Sequence, residues 1–324
     1  MTVVDPATWK DMSRIDITGG KISKKTDSEL RESADIDCIR YDQTAERWIR
    51  VWMDAKQNGA ADHVALFTGL ATSPDRDVDG NLSTNSVQCY SVLKPAQDIL
   101  LPRGWYVSAG SDGARAAAEL LDVTPAPKFV SDSSPALQWN LIAEDDETNL
   151  SMALKILEAI DWRLRIDGDG TIRIMPRATE ISATMDYLEQ DMLEPRIKVA
   201  YDWFSCPNVF RAIADDMTAI ARDDEPSSPL STVSRGREIW AQETDCDLSD
   251  SESIADYAVR RLRELQITSE EASYDRRYHP NVVPGDLIRL KYPGQGLDGI
   301  YLVESQDISL AKNASTSEDA VRYE

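Results

Sequence analysis

The segment from Trp162 to Ile174 leaves the chain one local solution. Trp162, Leu164 and Ile166 alternate with Arg163 and Arg165, while Ile172 and Ile174 alternate with Thr171 and Arg173. Asp167-Gly168-Asp169-Gly170 stands between the two runs. A period of two puts all five apolar side chains on one face of a strand pair, whereas a helix would scatter them. An Asp-Gly turn between such runs is the strongest short-range hairpin signal. The spacing therefore predicts a hairpin with one apolar face and one basic, solvated face. Immediately upstream the period changes. Leu150, Ala153, Leu154, Leu157 and Ile160 recur at helical spacing, which predicts a helix over residues 149–161 with one buried side.

Strand texture dominates elsewhere. Residues 36–41 and 48–53 are rich in β-branched and aromatic side chains around the polar turn Asp42-Gln43-Thr44. Residues 64–70 and 87–93 repeat the texture, separated by a polar stretch over 73–86. Ser111 is placed to cap a helix running to Leu121, which Pro125 and Pro127 stop. Turn chemistry fills 131–135. Strand texture resumes at Lys198, and the loop 223–234, with Pro226 and Pro229, reads as mobile. Ser249 and Glu252 have capping-box spacing ahead of a helix that buries Ile254, Ala258, Leu262 and Leu265. Strands over 287–290, 300–303 and 308–310 precede a polar tail, 312–324, that reads as frayed. The expected fold class is α+β and β-dominated. Residues 1–110 form a strand-rich part, 111–197 an α/β middle, and 198–324 a second strand-rich part with one helix.

Charge narrows the function. The 324 residues carry a net charge of −22. Gripping nucleic acid needs clustered Lys and Arg, and an anionic membrane surface repels such a chain for the same reason. No apolar run approaches the ~20 residues that span a bilayer, and the first twelve residues lack a signal-peptide core. Cys38, Cys89, Cys206 and Cys246 stand far apart with no CxxC pair, so reduced, buried thiols are expected. His63 and His279 are the only histidines, and any His-based triad must use one of them. No nucleophile elbow, phosphate-binding glycine loop or His-Glu-x-x-His occurs. No catalytic residue is assigned.

One local motif carries ligand chemistry. Asp75, Asp77 and Asp79, followed by Gly80 and Leu82, match places one, three, five, six and eight of a calcium loop. Place twelve is Ser86, where such a loop supplies a bidentate Glu. An acidic, solvated hairpin loop explains the same residues without an ion.

Two further segments carry a resemblance. Near the start stand Gly19-Gly20-Lys21-Ile22, then Lys24-Lys25-Thr26-Asp27-Ser28, then Glu32-Ser33-Ala34. Near the end stand Asn281-Val282-Val283-Pro284-Gly285-Asp286-Leu287, then Gly299-Ile300-Tyr301-Leu302-Val303. In this order the chain resembles the hub proteins at the tip of bacteriophage tails and related injection machines. Longer relatives carry a C-terminal hydrolase domain, which this chain does not reach, so the resemblance implies a scaffold and no enzyme. It implies two tube-type antiparallel β-barrels flanking the α/β middle, and a homotrimer joining a six-fold tail tube to a three-fold tip. The implied partners are a tail tube or distal tail protein and a spike, tip or fibre protein. DNA would pass through the channel without specific binding. The implied place is the virion tail tip, after assembly in the host cytoplasm. The alternatives are a tail-associated cell-wall hydrolase working through carboxylates, and a carbohydrate-binding β protein.

Calorimetry with calcium is expected to show binding no tighter than ~millimolar, the feeble end of the range for such loops. Micromolar affinity that disappears in Asp77→Ala is the contrary result.

Overall fold

In the computed structural model, the strand Glu32–Ile39 buries Glu32, Ala34, Ile36 and Cys38 and turns Asp35 and Asp37 to solvent. That alternation is what a sheet with one covered face demands. The structure describes residues 1–39, 41, 46–57, 60–79, 82–131, 134–186, 192–214, 217–244, 246, 253–267, 270–292, 294, 296–312 and 315–323. The fold is α+β and β-dominated, with large antiparallel sheets. The chain forms two units. One comprises Met1–Ala183, Asp275–Leu287 and Val303–Glu318, and the other Thr184–Tyr274, Ile288–Leu302 and Asp319–Glu324.

In the first unit, residues 305–309 pair with Ile17–Lys25, which pairs with Glu32–Ile39. Leu82–Ser91 follows, then Ala60–Ala71, Arg47–Gln57, Thr2–Val4 and Asp11–Arg14. Every one of these pairings is antiparallel. The registers Ile22↔Ala34, Ile36↔Val87 and Val51↔Phe67 bring apolar side chains opposite one another, and all six are buried. Cross-strand apolar pairs of this kind are the unit of sheet stabilisation.

The hairpin forms where the alternation places it, as Trp162–Ile166 and Ile172–Pro176, with Leu164 opposite Ile174. Its five apolar side chains are buried beneath the helices Gly113–Leu120 and Asn149–Ala159. Burial of each contributes about 1.5–3 kcal/mol. Thr148 and Ser151 form a reciprocal capping box at the head of the second helix, at 3.0 and 2.9 Å. Its buried stripe includes Met152 and Ile156 besides Leu150, Ala153 and Leu157, while Leu154 is half-buried. The first helix is capped by Asp112 rather than Ser111, the Asp112 carboxylate accepting from Arg115 N at 3.0 Å. A bond from the Ser134 hydroxyl, then that from the Arg115 amide, hold this carboxyl below its usual pKa. Lys128–Val130 adds a short parallel strand to the hairpin, too brief to leave a pattern.

The hairpin turn docks on the large sheet. Trp9 Nε1 and Arg50 Nη2 donate to the Asp169 carbonyl at 2.9 and 3.0 Å, and Thr68 Oγ1 donates to the Gly168 carbonyl at 2.8 Å. A Cβ on Gly168 would lie 1.9 Å from the Ala65 carbonyl oxygen. Only a glycine lets the two backbones approach this closely.

In the second unit, Val209–Ala214 pairs antiparallel with Met217–Arg222 and parallel with Trp240–Thr244. Phe210, Ala212 and Ala214 pack beneath the helix Ile254–Ile267 through Tyr257, Ala258 and Leu262. Ser253 Oγ accepts from Asp256 N at 3.2 Å and caps that helix, while Ser249 and Glu252 lie outside the described residues. Tyr301 donates to the buried Glu270, which Arg322 also reaches at 3.1 Å.

Several expectations change. The stretch 73–86 is mostly strand: Asp75–Asp79 pairs with Leu82–Ser91. The loop 223–234 is not loose. Asp223 Oδ2 accepts from Ser228 Oγ at 2.6 Å, Asn208 Nδ2 holds the Leu230 carbonyl at 3.2 Å, Ser231 is buried, and Thr232–Arg235 is a helical turn. The strands expected at 300–303 and 308–310 are one strand, Leu297–Ser309. The tail is not frayed, since Thr316–Arg322 is a strand with Glu318, Ala320 and Val321 buried. Its polar residues misled because a buried carboxylate with a buried partner looks, in sequence, like a solvated one.

Gly168→Ala is expected to cost about 1–3 kcal/mol by overpacking, read as a lower urea midpoint. Gly294→Ala, where an added Cβ meets nothing within 4 Å, should stay within about 0.5 kcal/mol.

Candidate functional site

The turn Pro284-Gly285-Asp286 is built as its residue types require. Gly285 stands at φ 90°, a left-handed conformation that side chains resist. Asp286 is 1% exposed, and its Oδ2 accepts from Val283 N at 3.1 Å, closing the turn on itself. The basic face of the hairpin is half-covered, its arginines engaged by carboxylates. Arg163 Nη2 donates to Asp286 Oδ1 at 2.7 Å, and Arg165 Nη1 lies 3.3 Å from Asp286 Oδ2. Arg163 also donates to the Gly285 carbonyl. Arg165 and Arg173 share Asp167, at 3.2 and 2.5 Å, and the Arg173 guanidinium lies 5.2 Å from the Phe129 ring centre. The cations alternate with carboxylates, so the face is an ion-pair network.

A second network lies deeper. Arg276 and Glu318 are fully buried and joined by two hydrogen bonds, that from Nε measuring 2.7 Å. Gln306 Nε2 donates to Glu318 at 2.6 Å and to the Val282 carbonyl at 3.1 Å. Buried charges survive only when paired and hydrogen-bonded in this way.

Among the described residues, neither histidine and none of the cysteines joins a nucleophile–base pair. His63 Nδ1 lies 2.6 Å from Asp54 Oδ1, and its ring stacks on Trp52 at 4.1 Å. The contact with His63 holds the Asp54 carboxyl below its usual pKa. Both groups are exposed on a hairpin. His279 accepts from Asn281 N at 3.3 Å inside its own turn. All four cysteines are free and buried. Burial above all, with Asp35 and Cys38 nearby, pushes the Cys89 thiol up to about 12, and burial raises Cys38 as well. Thiols held protonated are poor nucleophiles.

Among the described residues, no three His, Cys, Asp or Glu side chains converge as metal ligands. Asp75 is exposed at the start of the strand Asp75–Asp79. The side chains of Asp77 and Asp79, and residues 80 and 81, lie outside the described residues. The backbone of 75–79 is extended and pairs antiparallel with Leu82–Ser91. No helix among the described residues is long and apolar enough to cross a membrane.

What the surface offers instead is contact chemistry. In the second unit Tyr201, Trp203 and Phe204 are exposed, Phe204 by 79%. The Tyr201 and Trp203 rings lie 5.1 Å apart, and the Arg237 guanidinium sits 4.3 Å from the Phe204 ring centre. Trp240 and Ile220 are also exposed, with Arg211 5.4 Å from the Trp240 ring centre. Exposed aromatic residues with arginine are the composition of protein interfaces. The run Tyr201-Asp202-Trp203-Phe204 was visible in the sequence, and its signal was three aromatic residues within four positions of an acidic chain.

No protein-family model and no curated protein matches the sequence. Solved structures do. The tail protein from Neisseria meningitidis superposes with a TM-score of 0.69 at 14% identity, covering 100% of this chain and 96% of that one. This chain has the phage tail-protein fold. A 43 kDa tail protein of prophage MuSo2 from Shewanella oneidensis gives 0.64 at 15% identity, over 95% and 94% of the two chains. An E. coli component of the type VI secretion system gives 0.56 at 10% identity, over 97% and 75%. That protein is described as similar in structure to the T4 tail proteins gp27 and gp5.

Asp286→Ala strands the part-buried Arg163, takes one of two carboxylates from Arg165 and is expected to cost about 3–5 kcal/mol, read by chemical denaturation. Asp145→Ala, which removes the exposed partner of Arg103, should cost less than about 1 kcal/mol.

Proposed function

We propose that the chain is a structural hub at the distal end of a phage tail or tail-like injection particle. The observation that carries this reading is the end-to-end match to tail proteins, at least 94% of each of the first two. Exposed aromatic–arginine clusters support a protein that works through contacts.

In this reading three copies form a ring. Residues 1–110 and 198–324 of each supply tube-type barrels, and 111–197 the α/β portion between them. The ring meets a tail tube or distal tail protein on one side and a spike, tip or fibre protein on the other. One chain that carries two similar barrels lets a three-fold ring match a six-fold tube. The net charge of −22 per chain suits a channel wall, because like charge repels DNA phosphates and lets the genome slide without sticking. Asp75, Asp77 and Asp79 remain at most a millimolar calcium site in this proposal.

Imaging of the assembled particle is expected to show three copies at the tail tip with an acidic lumen. Six copies in a plain ring, or a single copy, would refute the trimeric hub. A cleared zone on a cell-wall gel, abolished by one Asp or Glu substitution, would favour the hydrolase alternative.

A further inference from the structure

The strands Ile17–Lys25 and Glu32–Ile39 and the loop that joins them line a cavity of 470 Å³. Its walls are three serines, Ser23, Ser28 and Ser33, with Lys25, Arg31 and Glu32. Asp27 also borders it. Every one of these side chains is polar, so the space does not suit an apolar ligand.

The lining holds two cations, Lys25 and Arg31, and two carboxylates, Asp27 and Glu32, but these do not pair with one another. Lys24 and Glu32 are each 4% exposed and pair at 3.1 Å through Glu32 Oε2. Glu32 Oε1 is buried without a hydrogen-bond partner. Arg31 Nε is likewise buried and unpartnered, and the Arg31 side chain makes no hydrogen bond or ion pair with a described residue. Its desolvation pulls the guanidinium below its usual pKa. Asp27 and Glu158 offset this only through space, and Arg177 opposes them. Lys25 has no ion pair with a described residue either. In a chain with 57 acidic and 35 basic side chains, a part-buried arginine without a carboxylate runs against abundance. Arg31 also stands at φ 63°, a conformation most side chains avoid. Strain and unmet polar groups gather where a ligand is to be held.

We propose that this cavity binds a small hydroxylated anion of the sugar-acid or sugar-phosphate class. The planar Arg31 fork takes the carboxylate or phosphate through paired hydrogen bonds, and Lys25 adds a second positive charge. The serine hydroxyls meet the ring hydroxyls, and Glu32 Oε1 accepts from one of them after a small local adjustment. A bare phosphate ion is too small to fill the space, and a neutral sugar leaves Arg31 unmatched. The site lies within the first unit and stands independently of the hub proposal.

Isothermal titration of the full chain with glucuronate, glucose 6-phosphate, glucose, inorganic phosphate and a glutamate-rich peptide tests this. One of the two sugar anions should bind about tenfold or more tightly than glucose and than phosphate, the worth of a charge-assisted pair. The tighter of the two assigns the anionic group. Arg31→Gln should lose about tenfold in affinity with an unchanged melting temperature, and Arg31→Lys should recover part of it. If Arg31→Gln does not fold, Lys25→Gln, at an exposed position, should still weaken binding several-fold. The proposal is overturned by equal affinity for glucose, by tighter binding of phosphate alone or of the peptide, by no binding in the millimolar range, or by full affinity in the substituted chains.

Discussion

A single carboxylate, Asp286, holds two distant parts of the first unit in register. It is 1% exposed and meets the guanidinium groups of Arg163 and Arg165, more than a hundred residues earlier in the chain, as well as the amide of Val283. Such a charge is stable in the interior only with partners in place. The Pro284-Gly285-Asp286 turn therefore forms productively only against the completed hairpin. The turn in return covers part of the hairpin's second face, leaving Arg163 and Arg165 part-buried. Each supplies what the other lacks, and the arrangement makes the unit cooperative across a long sequence separation.

The hairpin is held from its other end by contacts of a different kind. The carbonyls of Gly168 and Asp169 receive donors from Thr68, Arg50 and Trp9, and Gly168 allows the turn to touch the Ala65 backbone. Neutral acceptors and a missing side chain accomplish there what ion pairing accomplishes at Asp286. The deeper pair Arg276–Glu318 repeats the first solution in the C-terminal segments. Interior charge is thus matched in detail across most of the unit, and this makes the unmatched Arg31 beside its polar cavity informative.

Much of the fold was legible because it rests on local periodicity. The alternation over 162–174 and the helical spacing over 149–161 each led to the element observed, within a residue or two at the ends. Errors arose where polar residues serve long-range partners. The segment 312–324 looked frayed because its acidic residues have no local use, and Glu318 finds Arg276 only in the folded chain. The loop 223–234 looked mobile because its serines and prolines are turn formers, while Asn208 ties it down from outside and Asp223 binds Ser228 within it. The aromatic cluster at 201–204 and the Asn-x-x-Pro-Gly-Asp turn were both visible in the sequence. The Lys24–Glu32 pair and the cavity beside it were not.

By itself the sequence determined the periods, the turn positions, the acidity and the absence of familiar catalytic motifs, because these depend on neighbours a few residues apart. It could therefore set the fold class. Only the tertiary structure decided which charges are buried, which faces are covered and which cations lack a carboxylate. The physical reason is that the state of an ionised side chain depends on everything within several ångströms of it. For Arg163 and Arg276 those surroundings are assembled from strands and turns far apart in the chain, and Arg31 has no ion pair with a described residue.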